Sequence, residues 1–219
     1  MNSMVNEVAI SRLHWPVTTL GHGERIGIWF QGCTIHCKDC CSHDTWAVDP
    51  DKLITIERLI DWVAGQPLSR IDGLTISGGE PFDQADSLQE VIEQLRSLFS
   101  ESTKPIDILV YSGYPWRRIQ EKHATILKHI DALISEPFVA SRPVDWLRGS
   151  SNQTIHCLTP LGRQRYGDSR SIPNSKSLQL CYDGNAIWMI GIPQRGDLDE
   201  LRRILMKSGI SLGKLSWIA

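Results

Sequence analysis

Four of the six cysteines in this chain fall within nine consecutive residues, and this cluster is the part of the sequence best suited to chemistry. The clustered residues are Cys33, Cys37, Cys40 and Cys41. Thiols three or four residues apart can point into one small volume but cannot easily join in pairs without strain. The cluster therefore indicates metal binding rather than a disulfide framework.

The first three of these cysteines form a CxxxCxxC motif over residues 33–40. Thiolates at this spacing could hold three corners of a [4Fe-4S] cube, and because ordinary clusters of this type take four cysteines, one iron would remain open. Zinc could use the same thiolates with Cys41, His36 or His43 as the fourth ligand. If Cys41 completed the cube instead, the protein would be a ferredoxin-like electron carrier. The spacing by itself leaves these readings open.

A second motif follows a short apolar strand predicted over Leu74 to Ser77. It consists of Gly78, Gly79, Glu80 and Pro81. Two glycines at a strand end let the backbone approach a ligand closely, with carbonyls free to accept hydrogen bonds, and the glutamate adds a carboxylate. Such a site suits an ammonium group, whereas a phosphate would need amides and a following lysine. The simpler alternative is a strand-to-helix turn with a capping acid.

Together the two motifs resemble those of the radical S-adenosylmethionine (SAM) superfamily. The resemblance implies that Cys33, Cys37 and Cys40 hold a [4Fe-4S] cluster whose open iron is chelated by the amino and carboxylate groups of SAM. It also implies that the glycine-rich strand end, residues 78–81, holds the amino group. In that superfamily, one-electron reduction cleaves SAM to methionine and a 5′-deoxyadenosyl radical, which abstracts hydrogen from the substrate.

Further motifs resemble the activases of glycyl-radical enzymes, most closely those of anaerobic ribonucleotide reductase. Residues 44–46 match the DTW of these activases, and residues 110–114 match their strand ending in TGY. Residues 131–138 resemble DVLIDGPF, and residues 148–153 match WRGSxNQ except that the tryptophan is replaced. The resemblance predicts that Trp46 lies near the cluster.

This resemblance implies an enzyme that abstracts hydrogen from a backbone glycine of a larger glycyl-radical enzyme. It implies Ser112 and Asn152 as further contacts for SAM or substrate, and an external reductant such as flavodoxin or ferredoxin, because the cluster must reach a low potential. One alternative keeps the radical SAM chemistry but takes a small molecule or peptide as substrate. Another is a zinc or ferredoxin-like binding module with no reaction of its own.

The elements that must position these motifs alternate between strands and helices, which predicts an α/β fold with parallel strands. The chain is too short for a complete eight-unit barrel. We therefore expect an incomplete (β/α)6-type TIM barrel, a single radical SAM domain over 1–219 with a C-terminal β-hairpin and helix. The predicted strands are 7–14, 26–30, 74–77, 106–111, 132–134, 154–158 and the hairpin 177–181 with 186–191; the predicted helices are 55–64, 87–99, 116–130 with a break near 123, and 198–206.

Residues 136–176 are rich in serine, arginine, proline, asparagine and glycine, and we expect a long loop region that could serve as a lid over a partner or substrate. Its later part is locally basic, which indicates a solvated loop or a segment that docks an acidic surface. The basic residues are Arg163, Arg165, Arg170 and Lys176. The isolated Cys157 and Cys181 are interpreted as small core residues.

Composition limits the classes of function that remain. The chain has 219 residues, 41% of them hydrophobic and 22% charged, so a disordered or fibrous protein is excluded and the core needs no disulfide or metal to hold it. The net charge of −2 argues against nucleic-acid binding. No apolar run reaches the roughly 18 residues of a membrane span, so we expect a soluble, cytoplasmic protein with no membrane partner.

Overall fold

The structure, a computed structural model, describes residues 6–168, 178–182 and 187–210. The strands are β1 (Glu7–Val17), β2 (Arg25–Phe30), β3 (Leu53–Thr55), β4 (Gly73–Gly78), β5 (Asp107–Tyr111), β6 (Ala132–Ser135), β7 (Thr154–Cys157), β8 (Gln179–Tyr182) and β9 (Ile187–Ile190). The α-helices are α1 (Ile56–Ala64), α2 (Ala85–Leu98), α3 (Trp116–Lys122), α4 (Ala124–Leu127), α5 (Pro160–Tyr166) and α6 (Asp197–Lys207).

Seven strands form one mixed sheet in the order β3-β1-β2-β4-β5-β6-β7, and β8 pairs with β9 in a separate two-stranded sheet. The central strands β2, β4, β5 and β6 are parallel, whereas β1 and β7 pair antiparallel with the strands beside them. Phe30 at the end of β2 is in register with Gly78 at the end of β4. The prediction of an α/β fold with parallel strands is confirmed for this central part.

The helices cover apolar strands, and the largest hydrophobic cluster lies between them. The parallel strands β2, β4 and β5 are almost entirely buried, as expected for strands covered on both faces. Helix α2 buries the apolar stripe predicted from its spacing, which includes Leu88, Val91, Ile92 and Leu95. The predicted break near residue 123 is also confirmed, because α3 ends before His123 and α4 begins after it.

Two described elements were not predicted. Strand β3 has only three residues and pairs with the start of β1, which is too short a run to give a periodic signal. Helix α5 lies inside the segment predicted as a long loop, together with the predicted strand β7; residues 169–176 of that segment lie outside the described residues. Thr159 caps α5 by accepting a hydrogen bond from Gly162 N–H, and Pro160 occupies the first turn, where its missing N–H costs nothing.

A buried ionic network lies at the amino ends of the parallel strands. Asp107 begins β5, is fully buried, and accepts hydrogen bonds from Arg25 Nη1 at 2.9 Å and Nη2 at 2.8 Å. Tyr166 Oη donates to the same carboxylate at 2.6 Å, and Arg165 donates through Nη1. Burial alone would raise the pKa of Asp107, but the neighbouring arginines outweigh it and lower that pKa. Arg165 therefore pairs inside the protein and does not belong to a solvated loop.

The hairpin of β8 and β9 packs beside β1 and the loop that follows it. Gln179 Nε2 donates to Pro16 O at 2.7 Å, and Ile190 is buried against Val17 and Leu20. Cys181 packs against this same cluster, while the turn predicted at 183–185 lies outside the described residues. Among the described helices, none is long and apolar enough to cross a membrane.

Candidate active site

The cysteine motif and the glycine-rich motif meet at the carboxyl ends of the parallel strands. Strand β2 leads into the cysteine segment, residues 33–41, and β4 ends at Gly78. Strand β5, paired with β4, leads into Ser112 and Gly113. Because these strands are parallel and in register, the loops that follow them converge on one edge of the sheet, the usual place for ligands in α/β proteins.

A cavity of about 1200 Å³ opens at this edge. Its lining includes all three cysteines of the CxxxCxxC motif together with the end of β4 and the start of the loop after β5. These residues are Cys33, Cys37, Cys40, Gly78, Gly79, Glu80, Ser112 and Gly113. The structure thus brings together on one wall most of the site residues predicted from the sequence.

The thiols of this wall fit the donor set of an iron–sulfur cluster. Cys33 and Cys37 are partly buried, and burial raises the pKa of both thiols. Cys33, Cys37 and Cys40 line the same cavity, and Cys41 lines it as well. In the described part of the chain, no three His, Cys, Asp or Glu side chains converge on one ion position. A [4Fe-4S] cube does not require the three thiolates to converge on one ion, because each thiolate binds a separate iron at its own corner.

The two glycines are required for the close approach of β4 to the cysteine segment. A Cβ atom at residue 79 would lie 2.0 Å from Gly32 O, and one at residue 78 would lie 2.4 Å from the Phe30 backbone. Gly78 also has a φ of 111°, in the region that favours glycine. Gly79 N–H donates to Phe30 O and Glu80 N–H to Gly32 O, both at 2.8 Å. The glycines therefore fasten the strand end against the start of the cysteine segment.

Glu80 joins the ends of β4 and β5. Its side chain is 1% exposed and accepts hydrogen bonds from Ser112 Oγ at 2.8 Å, Gly113 N–H at 2.7 Å and Phe82 N–H at 3.0 Å. Burial raises the pKa of Glu80 to about 7 in spite of these donors. A carboxylate with only neutral donors keeps the capacity to pair with a cation from a ligand, since none of its hydrogen-bond partners among the described residues carries a positive charge.

The remaining predicted site residues are placed differently. Ser112 lines the cavity, but its hydroxyl is engaged with Glu80. Pro81 is buried at the start of a 3₁₀ turn and lies outside the cavity lining. Asn152 also lies outside that lining: its Nδ2 donates to Pro137 O at 2.9 Å, and its buried Oδ1 has no hydrogen-bond partner in the described structure.

Aromatic rings form a further part of the wall beside the cysteines. Trp46 lines the cavity, next to the cysteine segment. His36, between the first and second cysteines of the motif, stacks on Trp46 with ring centroids 4.7 Å apart, and His43 packs against the same indole at 4.4 Å. The stacking of His36 was not predicted, since the sequence indicated this side chain only as a possible zinc ligand.

The outer wall of the cavity comes from residues far along the chain. Strand β9 and the segment after it contribute Trp188, Ile190 and Arg195, and the segment after β6 contributes Phe138 and Arg142. Arg195 Nη2 donates a hydrogen bond to Ala140 O at 2.8 Å, which connects the segment after β9 to the segment after β6. No local signal in the sequence places these residues at the cavity, because the contacts span more than fifty positions.

Comparison with known proteins identifies relatives of the chain. The profile of a family described as "4Fe-4S single cluster domain" matches residues 19–156. The anaerobic ribonucleoside-triphosphate reductase-activating protein of Vibrio cholerae serotype O1 is 30% identical over 152 residues, which are 67% of this chain and 96% of the relative. The protein of the same name from Enterobacteria phage T4 is 28% identical over 138 residues, 62% of this chain and 85% of the relative.

A shorter match is to an activating enzyme with a different target in its name. The pyruvate formate-lyase-activating enzyme of Staphylococcus epidermidis is 30% identical over 84 residues, 36% of this chain and 34% of the relative. The part of the outer wall formed by residues 187–210 lies beyond the family match, which ends at residue 156. With four cavity-lining cysteines, among them the three of the CxxxCxxC motif, and an adjacent glycine-rich strand end, the chain belongs to the radical SAM superfamily, as an enzyme of the glycyl-radical activase family that carries a 4Fe-4S single-cluster domain.

Proposed function

We propose that the protein generates a glycyl radical in a larger partner enzyme of the anaerobic ribonucleotide reductase type. The observation that supports this most is the meeting of three thiols and the glycine-rich end of β4 on one cavity wall. The similarity to two anaerobic ribonucleoside-triphosphate reductase-activating proteins supports this choice of partner. The reaction is removal of a hydrogen atom from a backbone glycine of that partner.

In this proposal Cys33, Cys37 and Cys40 each bind one iron of a [4Fe-4S] cluster, and no fourth protein ligand completes it. When bound, the cluster and SAM together supply the one-electron cleavage that yields the hydrogen-abstracting radical. Binding needs deprotonated thiols, so the raised pKa of Cys33 and Cys37 means that cluster assembly releases protons from these side chains.

The glycine-rich strand end holds the amino group of SAM in the same proposal. Gly78 and Gly79 let the end of β4 lie directly against the cysteine segment at the cavity wall, and Glu80 offers a carboxylate whose hydrogen-bond donors are all neutral. Pro81 directs the chain away from the site after Glu80 by starting the next turn. Ser112 orients the Glu80 carboxylate, while the orphaned Oδ1 of Asn152 is a candidate acceptor for SAM or substrate.

We further propose that the central sheet is part of an incomplete (β/α)6-type TIM barrel in a single domain over 1–219. The four parallel strands follow one another in chain order without reversal, as in a singly wound barrel. The cavity exceeds the roughly 300–1,000 Å³ usual for small-ligand sites, which leaves room for a substrate segment beside SAM. Of the predicted loop region 136–176, the part before β7 is proposed as the lid on the partner side, supported by the positions of Phe138 and Arg142 at the cavity. Strand β7 pairs in the sheet, and α5 contacts Asp107 at the opposite end of the strands, so these two elements are not part of the lid.

Electrons are proposed to come from flavodoxin or ferredoxin, because the cluster must work at the low end of the biological potential range. We place the protein in the cytoplasm, where thiols stay reduced and can bind iron. The alternative of a small-molecule or peptide substrate is an outcome of the test below.

The test combines the anaerobically reconstituted protein, SAM, dithionite and the purified glycyl-radical enzyme from the same organism. We expect 5′-deoxyadenosine and a glycyl doublet in the electron paramagnetic resonance (EPR) spectrum of the partner, with no doublet when SAM is omitted. Cleavage of SAM without any doublet on the partner would contradict glycyl activation and favour the small-molecule alternative. No cleavage at all would contradict radical SAM chemistry.

A further inference from the structure

Three side chains tie the cysteine segment to the ends of β4 and β5, outside the site residues already described. Asp83 Oδ2 accepts a hydrogen bond from Thr34 N–H at 2.7 Å, and Oδ1 accepts from Thr34 Oγ1 at 3.0 Å. Tyr114 Oη donates to the same Oδ1 and lies 3.0 Å from Thr34 Oγ1. We call this group the Thr34–Asp83–Tyr114 clamp.

The clamp grips the segment next to a predicted cluster ligand. Thr34 directly follows Cys33, so fixing both its N–H and its hydroxyl restricts the direction in which the cysteine points. Asp83 lies on the 3₁₀ turn Pro81–Gln84, which leaves the glycine-rich end of β4, and Tyr114 follows Gly113 after β5. Thr34 and Asp83 are both exposed, so the clamp depends on several hydrogen bonds to one carboxylate rather than on burial.

The cysteine segment needs such an anchor because its backbone is strained. His36 has a φ of 51° and Asp39 a φ of 61°, both in the left-handed region that non-glycine residues rarely adopt. Conformations of this kind persist only where surrounding contacts enforce them. Tyr114 is itself held firmly, since it is 7% exposed and the Arg118 guanidinium lies 3.5 Å from its ring centroid.

We propose that Asp83 is a positioning residue that keeps the cysteine segment in its cluster-binding shape by holding Thr34, with Tyr114 orienting the Asp83 carboxylate. The inference rests on the proposed cluster ligands but not on the identity of the partner. Asp83 would not contact the metal itself but would orient a segment that does. Loss of groups that orient metal ligands typically costs about 10–100-fold in metal affinity.

The test follows iron release from the anaerobically reconstituted protein to an excess of chelator, with the low-temperature EPR line shape of the reduced cluster as a second readout. We expect Asp83→Ala to release iron at least about tenfold faster than the unmodified protein and to broaden the EPR signal. Asp83→Asn keeps an acceptor for Thr34 N–H and should fall between the two. Tyr114→Phe should have a smaller effect in the same direction.

The matched control is Asp86→Ala, which removes an exposed acid three residues further on whose charge acts on His123. It should release iron at the rate of the unmodified protein. Equal rates for Asp83→Ala and the unmodified protein, or equal acceleration in the Asp86 control, would overturn the proposal. If Asp83→Ala does not accumulate as folded protein, Asp83→Asn and Tyr114→Phe decide the question by the same comparison.

The clamp and the proposed function fail in different ways. Fast iron loss in Asp83→Ala without any glycyl radical on the partner would support the clamp and contradict the activation of that partner. Normal iron retention in Asp83→Ala together with a glycyl doublet would contradict the clamp alone.

Discussion

Two buried carboxylates sit at opposite ends of the same parallel strands and have opposite surroundings. At the amino end, Asp107 is surrounded by cationic and hydroxyl donors, of which Arg25 and Arg165 carry the charge. At the carboxyl end, Glu80 receives only neutral donors from Ser112 and two backbone amides. The pKa of the first is lowered and that of the second is raised to about 7.

This difference separates a carboxylate with a structural role, Asp107, from one that is available to a ligand, Glu80. A buried carboxylate whose charge is fully matched is costly to remove, because its cations would be left unpaired, and it has nothing left to offer a ligand. A buried carboxylate without a cation costs stability and is tolerated where a ligand supplies the missing charge. Each of the following predictions changes residues at the amino end or at the carboxyl end of the parallel strands and compares the result with a control variant.

The largest effect is expected for Cys37→Ala. Loss of one of three cluster ligands should abolish SAM cleavage, whereas the fold should persist because the core is large enough without the cluster. The measurements are 5′-deoxyadenosine production and the urea unfolding midpoint of the cofactor-free protein. Cys157→Ala, outside the cavity lining, is the control and should retain cleavage; retained cleavage in Cys37→Ala would contradict the ligand assignment.

At the amino end, Asp107→Ala should lower the free energy of unfolding by about 3–5 kcal/mol, because it leaves Arg25 buried without its partner. Urea unfolding of the cofactor-free protein measures this. Glu24→Ala breaks the exposed pair with Arg70 and should cost at most about 1 kcal/mol. Equal losses in the two variants would show that the buried network does not stabilise the sheet.

The two carboxylates should also give opposite dependences of stability on pH. Asp107 has a lowered folded pKa, so its contribution is present above the unfolded value of about 4 and is lost as pH falls through the folded value. Glu80 has a raised folded pKa, so the native state binds more protons than the unfolded chain between about pH 4 and pH 7. Stability should therefore fall as pH rises through that window.

Glu80→Gln removes the second effect and should flatten the stability curve between about pH 4 and pH 7, by an amount on the order of 3 kcal/mol. Urea unfolding of the cofactor-free variant at several pH values measures it. Asp107→Asn serves as the comparison and should instead alter the curve below about pH 4. An unchanged slope in Glu80→Gln would mean that its carboxyl group titrates normally.

A smaller effect is expected for Gly79→Ala. The added Cβ would meet Gly32 O at 2.0 Å, so the cysteine segment must shift, at a cost of about 1–3 kcal/mol in unfolding free energy. Cluster content after reconstitution should fall as well. Gly65→Ala is the control, because its Cβ would make only ordinary contacts at 3.5 Å. A variant at residue 79 with normal stability and iron content would contradict the close packing of β4 on this segment.

Much of this architecture was accessible from the sequence because it is encoded locally. The strands β2, β4 and β5 follow from short apolar runs, and the cysteine and glycine motifs follow from their positions at strand ends. The parallel arrangement then follows from alternation with helices such as α2. These features need only neighbouring residues to be recognised.

The remaining features depend on contacts between distant residues. Arg165 looks like part of a basic loop in the sequence, but it pairs with Asp107, 58 positions earlier. Asp83 gives no signal beyond its place three residues after Glu80, yet it holds Thr34. Pairing between distant residues, and not local composition, decides where these side chains lie. The contacts at the two ends of the sheet could therefore be predicted only in part.

The most direct test of the central claim, a cluster held by three cysteines with one iron open to SAM, is the EPR spectrum of the reduced, anaerobically reconstituted protein before and after addition of SAM. About four irons per chain and a signal that changes when SAM is added are the expected results. A four-iron centre whose spectrum is indifferent to SAM, or a protein that takes up no iron under these conditions, would contradict the account.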